Sequence, residues 1–149
     1  MGRVYADIEL VNADDLALFY NGFKKEADVR RMVVKMLVDS GAYNLAINEN
    51  IRTQLGLRKI NTQIFELADG TLQNFDVVGP VEVHFENRDT TTRCVVLPGN
   101  TEPLLGQIPM EDMDVIIMLR EERLVVNPNT PLVPKKALKT LKTTHQNPL

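Results

Sequence analysis

The stretch Val33-Val34-Lys35-Met36-Leu37-Val38-Asp39-Ser40-Gly41-Ala42 constrains this chain more than any other. A β-branched, apolar run argues for a strand entering a core, and this one stops abruptly at an acid, a hydroxyl and a glycine. Asp-Ser-Gly is ordinary turn chemistry, because Asp and Ser bond to nearby backbone and glycine tolerates positive φ. A carboxylate where a buried strand meets a loop is also well placed for chemistry, since a rigid sheet can present it. These residues by themselves leave both readings open.

The flanking sequence reads as a succession of short strands. Val4, Ala6, Ile8 and Leu10 alternate with polar residues, which predicts a half-exposed strand. Asn12 to Lys25 holds Leu16, Leu18, Phe19 and Tyr20 before Asn21-Gly22; it reads as a short apolar strand or a docking loop, and the strand followed by an Asn-Gly turn is favoured. Ala27 to Val38 is the next strand. Ile47, Ile51 and Leu55 recur at intervals of four, predicting a short helix with Asn48 as N-cap and Gly56 at its C-terminal end. Ile64 to Leu67 and Leu72 to Phe75 flank Asp69-Gly70, a dipeptide suited to a tight hairpin, whose arm should end at Gly79-Pro80. Val81, Val83 and Phe85 alternate with Glu82, His84 and Glu86, and Thr91 to Leu97 returns. Ile108 to Met113 has room for a second helix, and Val115–Met118 with Leu124–Val126 predicts a last hairpin. Evenly spaced strands separated by turn signals predict an all-β barrel or sandwich with two short helices.

Leu37-Val38-Asp39-Ser40-Gly41-Ala42 resembles the catalytic motif of the retropepsin-like aspartic proteases, two apolar residues followed by Asp-Thr/Ser-Gly-Ala. The resemblance extends to a following helix, a flap hairpin at Asp69-Gly70, and a late apolar-apolar-glycine unit matched by Leu104-Leu105-Gly106-Gln107. It covers about Val4 to Pro128. It implies an all-β closed barrel, one half of an acid protease, working as a two-fold homodimer without a cofactor. Asp39 of each chain would be catalytic, with Ser40, Gly41 and Ala42 supporting it. Leu67, Ala68, Asp69 and Gly70 would form the flap over a protein or peptide substrate, and Leu104, Leu105 and Gly106 would brace the site. Gly79, Ile116 and Ile117 would contribute apolar subsites.

The chemistry agrees with the single copy of the motif. Amide hydrolysis by carboxylates needs two close enough to share a proton, one taking a proton from water and one donating to the carbonyl oxygen. A single chain supplies one, and an isologous contact supplies the second. Gly41 would let backbone approach the carboxylate. Ala42 offers it no hydroxyl, where relatives carry Ser or Thr; with fewer donors on the anion, activity should lie at mildly acidic pH. Ser40 in place of the commoner retroviral Thr, Tyr43-Asn44 in place of acids and Gln107 in place of Arg imply a cellular relative rather than a viral enzyme. The competing readings are a non-proteolytic dimerisation or peptide-binding module of the same fold, and a small structural barrel in which Asp39 is only a turn residue.

Composition excludes other classes. At 149 residues with 44% hydrophobic and 25% charged residues, the chain suits one domain with an adequate core. A formal charge of -3 without a basic, aromatic-laced stripe gives no reason to expect nucleic acid. His84 and His145 are far apart and there is one cysteine, so metal ligation is not expected. Cys94, in an apolar run, reads as a buried thiol and implies a cytoplasmic setting. No apolar stretch reads as a signal peptide or membrane span, and Ala6 occupies the position where a myristoylation motif carries Ser or Thr. Residues 1–128 are expected to form the domain. Residues 129–149, with Pro131, Pro134, Pro148 and Lys135, Lys136, Lys139, Lys142, are expected to be a solvated tail in which Ala137-Leu138 and Leu141 could make one amphipathic turn.

Overall fold

The computed structural model describes residues 2–138. In chain order the elements are β1 (Tyr5–Asn12), α1 (Ala13–Tyr20), β2 (Arg31–Val38), β3 (Leu45–Asn48), α2 (Glu49–Leu55), β4 (Arg58–Glu66) and β5 (Leu72–Phe85). Then follow β6 (Arg88–Leu97), β7 (Leu104–Leu105), α3 (Gln107–Met113), β8 (Val115–Met118) and β9 (Arg123–Val126). Strands β1 to β7 form one sheet in the order β1-β2-β7-β3-β6-β5-β4, and β8-β9 is a separate hairpin.

Alternation explains the long strands. In β2, Val34, Met36 and Val38 are buried while Val33 and Lys35 face water, so the strand keeps one wet face almost to Asp39. Strand β5 is the spine. Its first part pairs with β4, and Val81 to His84 pair with Asn12 to Glu9 of β1. The sheet therefore curls back on itself, but among the described residues β4 pairs only with β5 and remains an outer edge. This differs from the expected closed barrel. The arm expected to end at Gly79-Pro80 instead continues to Phe85, with a register shift between Val78 and Val81 and a cis Gly79-Pro80 bond in the middle. Inside the curl, Ile8, Leu10, Met36, Leu45, Ile47, Val78, Val83 and Leu105 form the core, and α2 and α3 cover it through Ile51, Leu55, Met110 and Met113. Cys94 is fully buried there, as read from the sequence, and burial pushes its thiol pKa well up.

The strand expected within Asn12–Lys25 is helix α1. Asn12 Oδ1 accepts from the Asp15 N–H at 3.0 Å, capping the helix, and Asp14 and Asp15 favour its positive end. The spacing of Leu16, Phe19 and Tyr20, three and four apart, is helical, and it prevails over the turn signal of Asn21-Gly22. Asp15 is buried and gathers Arg30 Nε at 2.8 Å, Arg30 Nη2 at 2.9 Å, the Arg30 N–H at 3.0 Å and Lys24 Nζ at 3.0 Å. These bonds hold its pKa far below the ordinary carboxyl value, with Arg30 the main cause. Helix α2 forms where the sequence placed it, capped by Asn48 Oδ1 at 3.0 Å from the Ile51 N–H, with Gly56 left-handed at φ 62°.

Hydrogen bonds continue past residue 128. Asp114, itself left-handed at the end of α3, accepts from Asn127 Nδ2, Thr130 Oγ1 and the Lys135 N–H, while Lys136 Nζ stands 3.0 Å from Asp112. The Arg88 guanidinium, buried, donates to the Thr130 carbonyl. Lys139, Leu141, Lys142, His145 and Pro148 lie outside the described residues. No helix among the described residues is long and apolar enough to cross a membrane.

Candidate active site

Asp39 stands at the first position after β2, half-buried, with Ser40 and Gly41 exposed beside it. Two-residue strand β7 explains how it is held. Leu104 and Leu105 insert between β2 and β3, parallel to Leu37 and Val38 on one side and antiparallel to Ala46 on the other. The chain must therefore leave β2 at Asp39, pass around the end of β7, and re-enter the sheet at Leu45. The Asp39 N–H donates to the Leu105 carbonyl at 2.9 Å, fixing the start of that loop.

Within the loop, the Gly41 N–H donates to Asp39 Oδ1 at 2.9 Å, and the Ala42 N–H donates to the Asp39 carbonyl at 3.1 Å. A Cβ on residue 41 would stand 3.2 Å from that same Oδ1, so glycine keeps the close approach open. Helix α3 clasps the other side of the loop. Its first N–H groups, from Gln107 and Ile108, donate to the Ala42 and Tyr43 carbonyls at 2.8 and 3.0 Å. Gly106 is buried against this junction, where a Cβ would lie 2.7 Å from the Ala42 carbonyl oxygen and closer still to that of Asn44. Leu104-Leu105-Gly106 and the Asp39 motif, more than sixty residues apart in sequence, are thus joined by backbone hydrogen bonds. Side-chain recognition has little part in this junction.

The β4-β5 hairpin carries Leu67, Ala68, Asp69 and Gly70 at its tip, all but the half-buried Leu67 exposed. The turn is wider than the two-residue form expected from Asp69-Gly70. The Gly70 N–H donates to the Leu67 carbonyl at 2.9 Å and the Leu67 N–H to that of Thr71 at 2.8 Å, and only Gly70 takes positive φ, at 85°. Asp69 Oδ1 accepts from Thr71 Oγ1 at 2.7 Å and from the Thr71 N–H at 3.0 Å, which lowers its pKa and stiffens the tip. The hairpin is mostly exposed, with Ile64 and Leu72 open to solvent, and Phe65 packs edge-on against Phe75 at 5.9 Å.

This hairpin, β6 and the Asp39 loop enclose a cavity of about 60 Å³. Tyr43 and Asn44 from the loop, Gln63 and Phe65 from β4, and Val77, Arg93 and Val95 from β5 and β6 line it. Sequence reading noted Tyr43 and Asn44 only as departures from a pattern and missed Gln63, Phe65 and Arg93. Alternation could have found two of them, because Gln63 and Phe65 share one face of β4. Gly79 is buried at the β5 irregularity, and Ile116 and Ile117 lie on the separate β8-β9 hairpin, where Ile117 packs against the core. None of the three lines this cavity. A second cavity, about 680 Å³, lies at Glu26 to Met32 and Gln54, at the end of β2 opposite Asp39. Among the described residues no group of three His, Cys, Asp or Glu gathers as for a metal ion.

A mostly β chain that hangs one aspartate on a loop between strands, threads a later apolar-apolar-glycine unit through that loop and raises a hairpin beside it has the retroviral protease-like fold. Its structure matches the crystal structure of the retroviral protease-like domain of Ddi1 from Leishmania major with a TM-score of 0.54. The match covers 95% of this chain and 99% of that one at 16% sequence identity, a likeness of fold. No protein-family model and no curated protein matches the chain.

Proposed function

We propose that this protein is an aspartic endopeptidase whose active site forms at a homodimer axis, with one Asp39 from each chain activating water. The observation that carries this reading is the Asp39 carboxylate itself. It is accessible, anchored through its backbone to Leu105 at 2.9 Å, and has one oxygen oriented by the Gly41 N–H at 2.9 Å. A carboxylate kept only for a turn would not need a second, distant segment threaded through its loop.

Two such carboxylates at one axis cannot both ionise cheaply, so they share a proton, as the aspartic proteases do. The ionised partner takes a proton from water as that water attacks the peptide carbonyl, and the protonated partner donates to the carbonyl oxygen. The tetrahedral intermediate then collapses with protonation of the leaving amine. No cofactor has a role in this sequence. Ser40, exposed next to each Asp39, would tie the two loops together across the axis. Leu67, Ala68, Asp69 and Gly70 would close over an extended peptide, excluding water and bonding its main chain. With Ala42 giving no hydroxyl to the carboxylate, activity should peak at mildly acidic pH, and a rate maximum near pH 2 would count against that assignment.

The test is cleavage of an unbiased peptide library by wild type and Asp39→Asn, with sedimentation of both. Turnover abolished in an Asp39→Asn protein that remains dimeric supports the endopeptidase. Peptide binding without turnover in the wild type replaces it with a non-proteolytic peptide-binding module. A wild type that sediments as a monomer at working concentration removes the shared site.

A further inference from the structure

We propose that the small cleft beside the Asp39 loop selects an acidic side chain in the bound peptide, and that Arg93 sets this preference. The inference rests on the reading of the groove under the hairpin as a peptide site and names the chemistry that one part of it accepts.

Strand alternation places Arg93. Cys94 and Val96 of β6 are buried in the core, so Arg93 and Val95 project from the opposite face, where they line the cavity with Gln63 and Phe65 of β4. Arg93 is exposed and makes no ion pair among the described residues. Among the described residues it is the one charged residue lining the cavity, and no carboxylate lines it with Arg93.

Among the polar residues that line the cavity with it, Asn44 has its amide oriented by hydrogen bonds. Asn44 Oδ1 is occupied, accepting from the Leu45 N–H at 2.8 Å and from Thr92 Oγ1 at 3.1 Å. That fixes the orientation of the amide and leaves its N–H₂ end without a partner among the described residues. Gln63, whose amide also lacks a partner among the described residues, lines the cavity from β4, and the largely exposed Tyr43 lines it from the loop. Phe65, Val77 and Val95 supply an apolar floor.

Size narrows the ligand further. About 60 Å³ is room for a group the size of a carboxylate and too little for an aromatic ring. A peptide Asp or Glu entering here would receive charge-assisted hydrogen bonds on a low-dielectric floor, whereas a Lys or Arg would meet like charge. In a two-fold dimer the cleft occurs twice, so the preference should fall on both sides of the scissile bond.

The experiment compares wild type and Arg93→Glu on a peptide library, and in parallel measures binding of fluorescent peptides to the Asp39→Asn protein with and without Arg93→Glu. The peptide pairs differ only by Glu against Gln. The expected result is an enrichment of Asp and Glu at fixed positions in the wild type that reverses to Lys and Arg in Arg93→Glu. The Glu peptide should bind about tenfold more tightly than its Gln twin, a gap lost with Arg93→Glu and shrinking with salt. Cleavage without acidic enrichment, or a profile unchanged by Arg93→Glu, overturns the inference and leaves the endopeptidase standing. Absence of all cleavage by the wild type refutes the endopeptidase instead. The binding arm then decides alone: a Glu-over-Gln gap that depends on Arg93 supports the inference, and equal binding of the two peptides overturns it.

Discussion

Replacing Gly106 by Ala isolates the junction that positions Asp39. Gly106 has φ -94° and ψ -173°, extended values open to any residue, so space alone makes glycine necessary. The new Cβ would lie 2.7 Å from the Ala42 carbonyl oxygen and 2.8 Å from the Asn44 N, with the Asn44 carbonyl nearer still. Carbon stands about 3.3 Å or more from a carbonyl oxygen, so the loop or α3 must retreat by roughly 0.5–1 Å. All three neighbours are backbone, with no flexible side chain to yield. Overpacking of this kind costs about 1–3 kcal/mol. Stretching the Gln107 N–H to Ala42 carbonyl bond, 2.8 Å in the structure, adds about 1 kcal/mol. The total of about 2–4 kcal/mol corresponds to a fall in Tm of roughly 5–15 °C for a chain of this length. Urea unfolding should show a lower midpoint with an unchanged slope, and amide exchange should quicken at Gln107 and Ile108. Under the proposed endopeptidase activity, where a shift of about 1 Å at the acid can cost about a hundredfold in rate, peptide cleavage should fall by up to that factor. A Gly106→Ala protein with the wild-type midpoint and unaltered exchange at Gln107 and Ile108 would refute the reasoning.

Three further perturbations test the frame around the site. Asp15→Ala strips a buried acid from Arg30 and Lys24; since Arg30 is 47% exposed and can turn to water, the loss should be about 2–4 kcal/mol by urea unfolding, and a loss under about 1 kcal/mol would show the network to be dispensable. Asp114, held at about pKa 2 chiefly by the Thr130 hydroxyl, is depressed in the folded state, so its stabilisation is full above its ordinary value of 3.8 and disappears as pH falls towards 2. Asp114→Asn should therefore flatten the unfolding midpoint against pH between 4 and 2, and a slope equal to the wild type's in that window contradicts the assignment. Arg88 is buried with Nε and Nη1 lacking partners among the described residues, so Arg88→Met should leave stability within about 1 kcal/mol of wild type, and a loss above about 2 kcal/mol would reveal partners for those nitrogens.

Local signals and long-range ones were not equally legible. Asn48 and Gly56 mark α2 because capping depends on residues within one turn, and Val115–Met118 with Leu124–Val126 mark the last hairpin because alternation is a local property. The strand expected within Asn12–Lys25 rested on Asn21-Gly22 as a turn signal, whereas the helix depends on its Asn12 cap and on the burial of Asp15. Its burial is offset by Arg30, fifteen residues away, which no local pattern can announce. The continuation of β5 through Gly79-Pro80 was hidden for a similar reason: the break in register is absorbed by two neighbours, β1 and β6, rather than by a chain reversal.

Sequence by itself determined the candidate acid, the glycine that clears space beside it, and the later Leu104-Leu105-Gly106 unit as its companion, because these are matters of residue type. Tertiary structure decided how they work together. β7 can brace the Asp39 loop only after β2 and β3 part to admit it, and the Leu105 carbonyl meets the Asp39 N–H because of that insertion. The same assembly placed Arg93 opposite Gln63 and Asn44, residues from three separate segments whose proximity depends on strand pairings at long sequence separation. A backbone hydrogen bond carries no side-chain signature, and so the contacts that hold this site are the part a sequence does not display.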